Sequence, residues 1–243
     1  MGSKVVAIVP ARYESTRLPG KPLALIDGKP MIQHVYERTR GVMLVDQVLV
    51  ATDDARIADA VRRFGGDVVM TRSDHPSGTD RIAEVATRLD ADVIVNVQGD
   101  LPFLAAPMVD AAVALMRADS ALPMATLKTP IRDMAEMMNP NVVKVVSDRD
   151  GYALYFSRSP LPYWRDRSDE VIGYKHIGLY AYRRDFLLSF ARLAPTPLEQ
   201  AEKLEQLRAL EWGFRIKVAE TLGVGIEVDT PDDLERARAL AAS

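Results

Sequence analysis

The chain has 243 residues, a formal charge of −3 and no cysteine, with 48% apolar and 27% charged residues. That balance supplies a sizeable core and excludes disulfides, thiolate metal sites and cysteine nucleophiles. It offers no overall basic field for nucleic acid, and three histidines are too few for a histidine-rich metal site. No run reaches the length of a membrane span, and no charged region followed by a long apolar run opens the chain. A cytoplasmic protein is expected, with neither nucleic acid nor membrane as partner.

The first element is Val5–Val9, too continuously apolar to have a solvent face and therefore a strand buried on both sides. It runs directly into PARYESTRLPGKP (Pro10–Pro22), an irregular loop carrying Arg12, Arg17, Gly20 and Lys21. It is neither a Walker loop nor a dinucleotide fingerprint, which speaks against a dinucleotide-dependent oxidoreductase. Yet it has the parts of an anion site: irregular backbone NH groups, a glycine for close approach, and three cations. Arginine grips phosphate oxygens bidentately and lysine adds a point charge.

Helical spacing of Ile32, Val35 and Tyr36, of Ile57, Ala60, Val61 and Phe64, and of Ile82, Val85, Ala86 and Leu89 predicts three helices. Between them Gln47–Ala51, Val68–Met70 and Val93–Val97 read as strands. Alternation of this kind predicts an α/β fold with a mostly parallel, doubly wound sheet and ligands beyond the strands' carboxyl ends. Ser77-Gly78-Thr79 either caps the third helix or lines a base pocket. NVQGD ends the fourth strand, and Asp100 there is a plausible Mg²⁺ ligand or a turn cap.

Past Asp100 the rhythm turns antiparallel. Asn141–Ser147 and Tyr152–Ser157 flank SDRDG as a hairpin with Gly151 in its turn, and Tyr174–Tyr182 is a further strand. Thr196-Pro197-Leu198-Glu199 fits a capping box opening a helix with Leu198, Ala201, Leu204 and Leu207 on one face. Asp229-Thr230-Pro231-Asp232-Asp233 opens the last helix. One domain over 1–243 is expected: a nucleotide-binding part to about 130, an inserted part to about 225, and a terminal helix over 230–242.

Eight motifs in one order carry a resemblance: PARYESTRLPGKP, ATDD, MTRSDHPSGTDR, NVQGD, YALYFSR, YKHIGLYAYR, LEQLRALEWG and VDTPDDLER. Over nearly the whole chain they resemble the 3-deoxy-manno-octulosonate cytidylyltransferases. The resemblance implies a Rossmann-like nucleotide-diphospho-sugar transferase fold with a smaller antiparallel insertion. It implies a homodimer that joins CTP to 3-deoxy-manno-octulosonate (Kdo) with Mg²⁺, for lipopolysaccharide synthesis. It places Ala11, Arg12, Arg17 and Lys21 at the triphosphate, and Arg72, Ser77 and Gln98 near cytosine and ribose. Asp100 and Asp229 match the magnesium pair; Arg12, Arg17, Lys21 and Asp100 are the expected catalytic set. Arg158, His176, Tyr180, Glu205 and Gln206 match the sugar-acid pocket, with the inserted part also expected to dimerise. The family's QGDEP is QGDLP here, so Leu101 replaces an acid. Sugar acids such as 8-amino-Kdo or a nonulosonate, and a silent nucleotide-binding regulator, are the rival readings.

Overall fold

Almost no face of Val5–Ala11 meets solvent, and this segment forms β1, from which the structure, a computed structural model, builds outward. Residues 3–15, 17–165, 173–222 and 226–242 are described; Thr16 of the opening loop and parts of the 131–225 insertion lie outside them. After the loop come the paired short strands β2 (Leu25–Ile26) and β3 (Lys29–Pro30), then α1 (Met31–Arg40). An alternating series follows: β4 (Gln47–Thr52), α2 (Ala55–Arg63), β5 (Val68–Met70), α3 (Gly78–Ala86), β6 (Val93–Asn96) and α4 (Ala106–Ala118). The second half begins with β7 (Met124–Pro130), α5 (Met134–Met138), β8 (Lys144–Ser147), β9 (Ala153–Ser157) and β10 (Tyr174–Arg183). It ends with α6 (Arg184–Phe190), α7 (Pro197–Glu202), α8 (Gln206–Glu211), β11 (Ile216–Glu220) and α9 (Pro231–Ala241).

The main sheet runs β11-β7-β10-β6-β1-β4-β5, with the β8–β9 hairpin attached to β10. β5, β4, β1 and β6 are mutually parallel, and β10 enters antiparallel between β6 and β7. Alternation along β1 sends Val5, Ala7 and Val9 toward the α1, α2 and α4 side, and Val6 and Ile8 toward the α3, α6 and α8 side. Each such buried aliphatic side chain contributes roughly 1.5–3 kcal/mol by leaving water, so the strand ends hold their loops on a stiff base. A smaller cluster of Ile26, Met31, Val228, Leu234 and Ala237 folds α9 back against β2 and the start of α1. That packing returns the chain's end to the loop that follows β1.

The hairpin forms as expected but is shorter, since β8 starts at Lys144 rather than Asn141. Lys144 is fully buried, and its ammonium donates to the carbonyls of Asn139, Val142 and Arg158, holding 139–142 as a loop. Gly151 has φ +78°, the left-handed turn position expected of it.

The single helix expected through Leu198 and Leu207 is instead two. Lys203 is left-handed at φ 54°, ending α7 after Glu202. Leu204 and Leu207 are buried under the sheet while Leu198 and Ala201 are exposed, and no single straight helix meets both demands. Besides the short elements β2, β3, α5 and α6, the longer α4, β7 and β11 lie outside the sequence expectations.

Candidate active site

The loop after β1 folds on itself. The Gly20 amide donates to the Tyr13 carbonyl at 3.0 Å, and Gly20 sits at φ +68° with the Tyr13 ring against its α-carbon. A side chain at Gly20 would be strained and would press on that ring. A 3₁₀ turn at Lys21–Leu23 then turns Lys21 inward. The neighbouring loop after β6 approaches equally closely: a Cβ on Gly99 would lie 3.1 Å from the Pro10 carbonyl oxygen.

The cations of one loop meet the carboxylates of two others. Lys21 Nζ donates to Asp100 Oδ2 and to Asp229 Oδ1, each at 3.0 Å, and Arg17 Nη2 donates to Asp229 Oδ2 at 3.0 Å. The backbone keeps the carboxylates together, since the Val228 amide donates to the Asp100 carbonyl at 2.9 Å. Asp229 stands just before the Thr230 cap of α9, whose capping box with Asp233 fixes the turn. Burial by itself lowers the Lys21 pKa, but Asp100 and then Asp229 outweigh it and hold the ammonium above its usual value.

Two cavities share Gly78 and Gln98 in their walls. The first, about 370 Å³, is lined by Ala11, Arg12, Arg17, Lys21, Gln98, Asp100 and Asp229, which unites most of the expected phosphate and metal residues. The second, about 580 Å³, is lined by Ser77, Asn96, Gln98, Lys203, Glu205 and Arg208. Beside the first, a further opening is bounded by Arg12, Tyr13, Asp54, Arg56 and Arg81, with the Arg56 guanidinium 3.3 Å over the Tyr13 ring.

Ser77 is the cap of α3 that one of its readings expected. It accepts from the Asp80 amide at 3.1 Å, and it lines the second cavity. Arg72 is not brought in: its Nε pairs with Asp74 at 3.2 Å and both side chains are well exposed. The buried guanidinium at the first cavity is Arg81, which the sequence reading missed; it donates to Thr71 Oγ1 and lies 3.3 Å from Asp53. Helical periodicity hid it, because Arg81 sits next to the apolar stripe of α3.

On the sugar-acid side, the α7–α8 break sets Glu205 at the N-cap of α8. Thr79 Oγ1 donates to Glu205 Oε2, and Arg208 lies 3.8 Å from its other oxygen. Burial raises the Glu205 pKa; Thr79 and Arg208 oppose that shift and Asp80 adds to it. Tyr180 is held well above the usual phenol range, first by burial and then by Glu205. Thr126 Oγ1 donates to the Leu179 carbonyl at 2.8 Å and lies 2.9 Å from His176 Nε2. With the hydroxyl proton so used, Nε2–H is the donating tautomer of His176. Burial lowers the His176 pKa to about 3, so the ring is neutral. Gln206 is buried. Arg158 is turned onto backbone carbonyls, with Nε on Glu202 O at 2.7 Å and Nη1 on Pro140 O at 3.0 Å.

Leu101 is 1% exposed and packs in the core, so its side chain does not face the cavity. A third carboxylate approaches from elsewhere. Glu227, missed because it lies one residue before the motif VDTPDDLER, has its pKa raised to about 7 by burial, then by Asp100 and Asp229. It lines a separate cavity with Lys175, His176 and Asn141.

Among the described residues, no three or more His, Cys, Asp or Glu side chains are arranged to hold a metal ion. Two hard carboxylates converging on one cationic point suit Mg²⁺, which takes one or two protein carboxylates and completes its shell with phosphates and water. Asp100 and Asp229 therefore fit that ion, the Lys21 ammonium marking where positive charge is favoured.

A cytidylyltransferase family model matches residues 6–217. The 3-deoxy-manno-octulosonate cytidylyltransferase of Geobacter metallireducens is 61% identical, covering 96% of each chain. That of Geobacter sulfurreducens is 59% identical, covering 96% of this chain and 97% of the relative. A CMP:2-keto-3-deoxy-manno-octonic acid synthetase solved with CTP superposes at a TM-score of 0.95, with 51% identity and 99% of each chain covered. A 4-diphosphocytidyl-2C-methyl-D-erythritol synthase of Anaerococcus prevotii, at 15% identity and a TM-score of 0.66, shares the fold alone. The chain belongs to the 3-deoxy-manno-octulosonate cytidylyltransferases.

Proposed function

We propose that this chain transfers the cytidylyl group of CTP to the anomeric hydroxyl of Kdo, giving CMP-Kdo and pyrophosphate, with Mg²⁺ as its metal. The observation that carries the reading is the convergence of Arg12, Arg17 and Lys21 with Asp100 and Asp229 on one cavity that shares Gly78 and Gln98 with a second. The high identity to Kdo enzymes supports the substrate, and the CTP of the superposing synthetase supports the nucleotide.

The chemistry is hard because an anionic sugar must approach an anionic triphosphate. The anomeric oxygen attacks the α-phosphorus, the bond to the β-phosphate oxygen breaks, and the hydroxyl proton leaves to solvent. Arg12, Arg17 and Lys21 neutralise the β- and γ-phosphates and so stabilise the departing pyrophosphate. The flexible stem of Lys21 lets its ammonium turn from the carboxylates to phosphate oxygens. Asp100 and Asp229 would hold the Mg²⁺, which when bound supplies Lewis-acid neutralisation of phosphate charge. Gln98, at the junction, orients the two substrates toward each other. Glu205 and Tyr180 position the sugar.

The partner is a second copy of the chain, a reading supported by the exposed apolar side chains Met134, Met138 and Tyr163 on the inserted part. Strands of both parts join one sheet, in keeping with a single domain over 1–243. No helix among the described residues is long and apolar enough to cross a membrane. CTP as substrate favours a cytoplasmic site of action, with CMP-Kdo passing to lipopolysaccharide assembly.

The test is a matrix of four nucleoside triphosphates against Kdo, 8-amino-Kdo and sialic acid, read by pyrophosphate release. Highest turnover is expected with CTP and Kdo. Preference for another nucleotide or acid overturns the assignment, and no release with any pair favours a silent regulator.

A further inference from the structure

The loop after β1 is held from outside as well as by its own bond between Tyr13 and Gly20. The Arg56 guanidinium lies 3.3 Å from the centroid of the Tyr13 ring, and the same ring rests against Gly20. A cation so placed is attracted electrostatically by the face of the ring. Gly20 is the N-cap of the 3₁₀ turn that carries Lys21, and Arg12 precedes Tyr13 in the chain. Fixing the Tyr13 ring therefore fixes the backbone beside both cations.

Arg56 is itself fixed. Asp54 caps α2, accepting from the Arg56 amide at 2.9 Å, and its oxygens take Arg56 Nε at 3.0 Å and Nη2 at 2.6 Å. A two-point fork of this kind sets the plane of a guanidinium, and a lysine cannot reproduce it. Ile57 and Val61, on the buried face of α2, belong to the same core cluster as Val5, Ala7 and Val9, so the anchor stands on the stiff part of the fold.

Arg56 also lines the opening beside the phosphate cavity with Arg12 and Arg81, which suggests a rival role as a further phosphate cation. Its charge is already paired with Asp54, and two of its nitrogens are taken. The Arg12 side chain, by contrast, makes no ion pair among the described residues and lines both openings.

We infer that Arg56 is a positioning residue for cytidylyl transfer: locked by Asp54, it stacks on Tyr13 and holds the loop closed at Gly20, so that Arg12 and Lys21 are placed before CTP arrives. This rests on the CTP-dependent reading above. Less of the loop is then left to be ordered by binding.

The experiment measures pyrophosphate release from CTP and Kdo by wild type, Arg56→Ala, Arg56→Lys, Tyr13→Leu and the Arg56→Ala, Tyr13→Leu double variant, with melting curves alongside. Arg56→Ala should raise KM for CTP about two- to fivefold, the range of an exposed cation–aromatic contact. KM for Kdo and kcat should stay within about twofold, because bound CTP orders the loop in either enzyme. Arg56→Lys should resemble Arg56→Ala, since an ammonium keeps the charge but neither the fork nor the flat stack. Once Tyr13 is Leu, adding Arg56→Ala should raise KM for CTP by less than about 1.5-fold more, the partner being already gone. A further phosphate cation predicts instead that Arg56→Lys restores KM and that the loss persists without the ring; either result overturns the inference. A merely structural Arg56 predicts a lower melting temperature with no selective change in KM for CTP, which overturns it equally. Where Tyr13→Leu fails to fold, the comparison of Arg56→Ala with Arg56→Lys decides alone. Failure of wild type to release pyrophosphate from CTP at all would strike the underlying reading, a distinct outcome.

Discussion

The two ends of the site are built on opposite principles. At the phosphate end, charge meets charge across an open cavity: Arg17 is 62% exposed, and Asp229 and Asp100 are 34% and 27% exposed. At the sugar end, Glu205, Tyr180 and His176 have their pKa values set first by burial, and an amide oxygen stands without a partner. The first end is compensated by ions that exchange partners easily, while the second is a set of fixed, desolvated sockets. Substitutions at the phosphate end should therefore act on turnover and CTP, with salt sensitivity. Those at the sugar end should act on sugar affinity and on stability.

The largest effect belongs to the carboxylate pair. Asp100→Asn keeps the shape but removes the charge that would hold Mg²⁺ against the phosphates, and turnover should fall on the order of 10²-fold or more with the fold intact. Steady-state pyrophosphate release with a parallel melting curve measures both. Near-normal turnover would remove Asp100 from the metal assignment. Next, Glu205→Gln should raise KM for Kdo about tenfold, since hydrogen bonds to a charged acceptor contribute about 1.5–3 kcal/mol. Arg208 is still paired with Glu199, so the surrounding fold has its main ion pair. If the rise falls on CTP instead, the division between the two ends is wrong.

That division was only partly visible in the chain. PARYESTRLPGKP declares cations on an irregular loop, and its place after an apolar run suggests an anion site without help from any fold. Asp100 and Asp229 are 129 positions apart, and it takes the packing of Val228 and of Leu234 on α9, with the Val228 amide bonded to the Asp100 carbonyl, to bring them together. The residues expected at the sugar end came from resemblance rather than from pattern. Leu198, Ala201, Leu204 and Leu207 keep helical spacing, yet burial of the last two forces the Lys203 break that aims Glu205. Helix α4 escaped because the alanines on its outer face blur the contrast on which periodicity depends. Strand β7 is covered on both sides, so Met124-Ala125-Thr126-Leu127 shows no alternation of period two.

His176 sharpens the comparison through stability. Its pKa is about 3 in the folded chain against an ordinary value of 6.5. Between those values the unfolded state binds more protons, so stability rises with pH there, by up to ~1.4 kcal/mol per unit. The contribution is complete above the unfolded value and is lost as pH falls toward the folded one. Denaturant melts of wild type and His176→Gln at several pH values between about 4 and 7 isolate it. The wild-type slope should be the steeper; equal slopes would mean that the ring is solvated and that the sugar end is not desolvated there.

The smallest effect is expected at Arg17, and it discriminates most finely. Its pair with Asp229 is largely exposed, and such pairs contribute about 0.2–1 kcal/mol, so Arg17→Ala should leave the melting temperature almost unchanged. Loss of one phosphate cation should still raise KM for CTP by about three- to tenfold, with KM for Kdo within about twofold. Because the site is open, added salt should raise the wild-type KM for CTP and narrow the gap to the variant, as screening replaces what the guanidinium provided. A salt-independent gap would place Arg17 in a desolvated contact and make the two ends alike. A gap in KM for Kdo would move Arg17 from the triphosphate to the sugar.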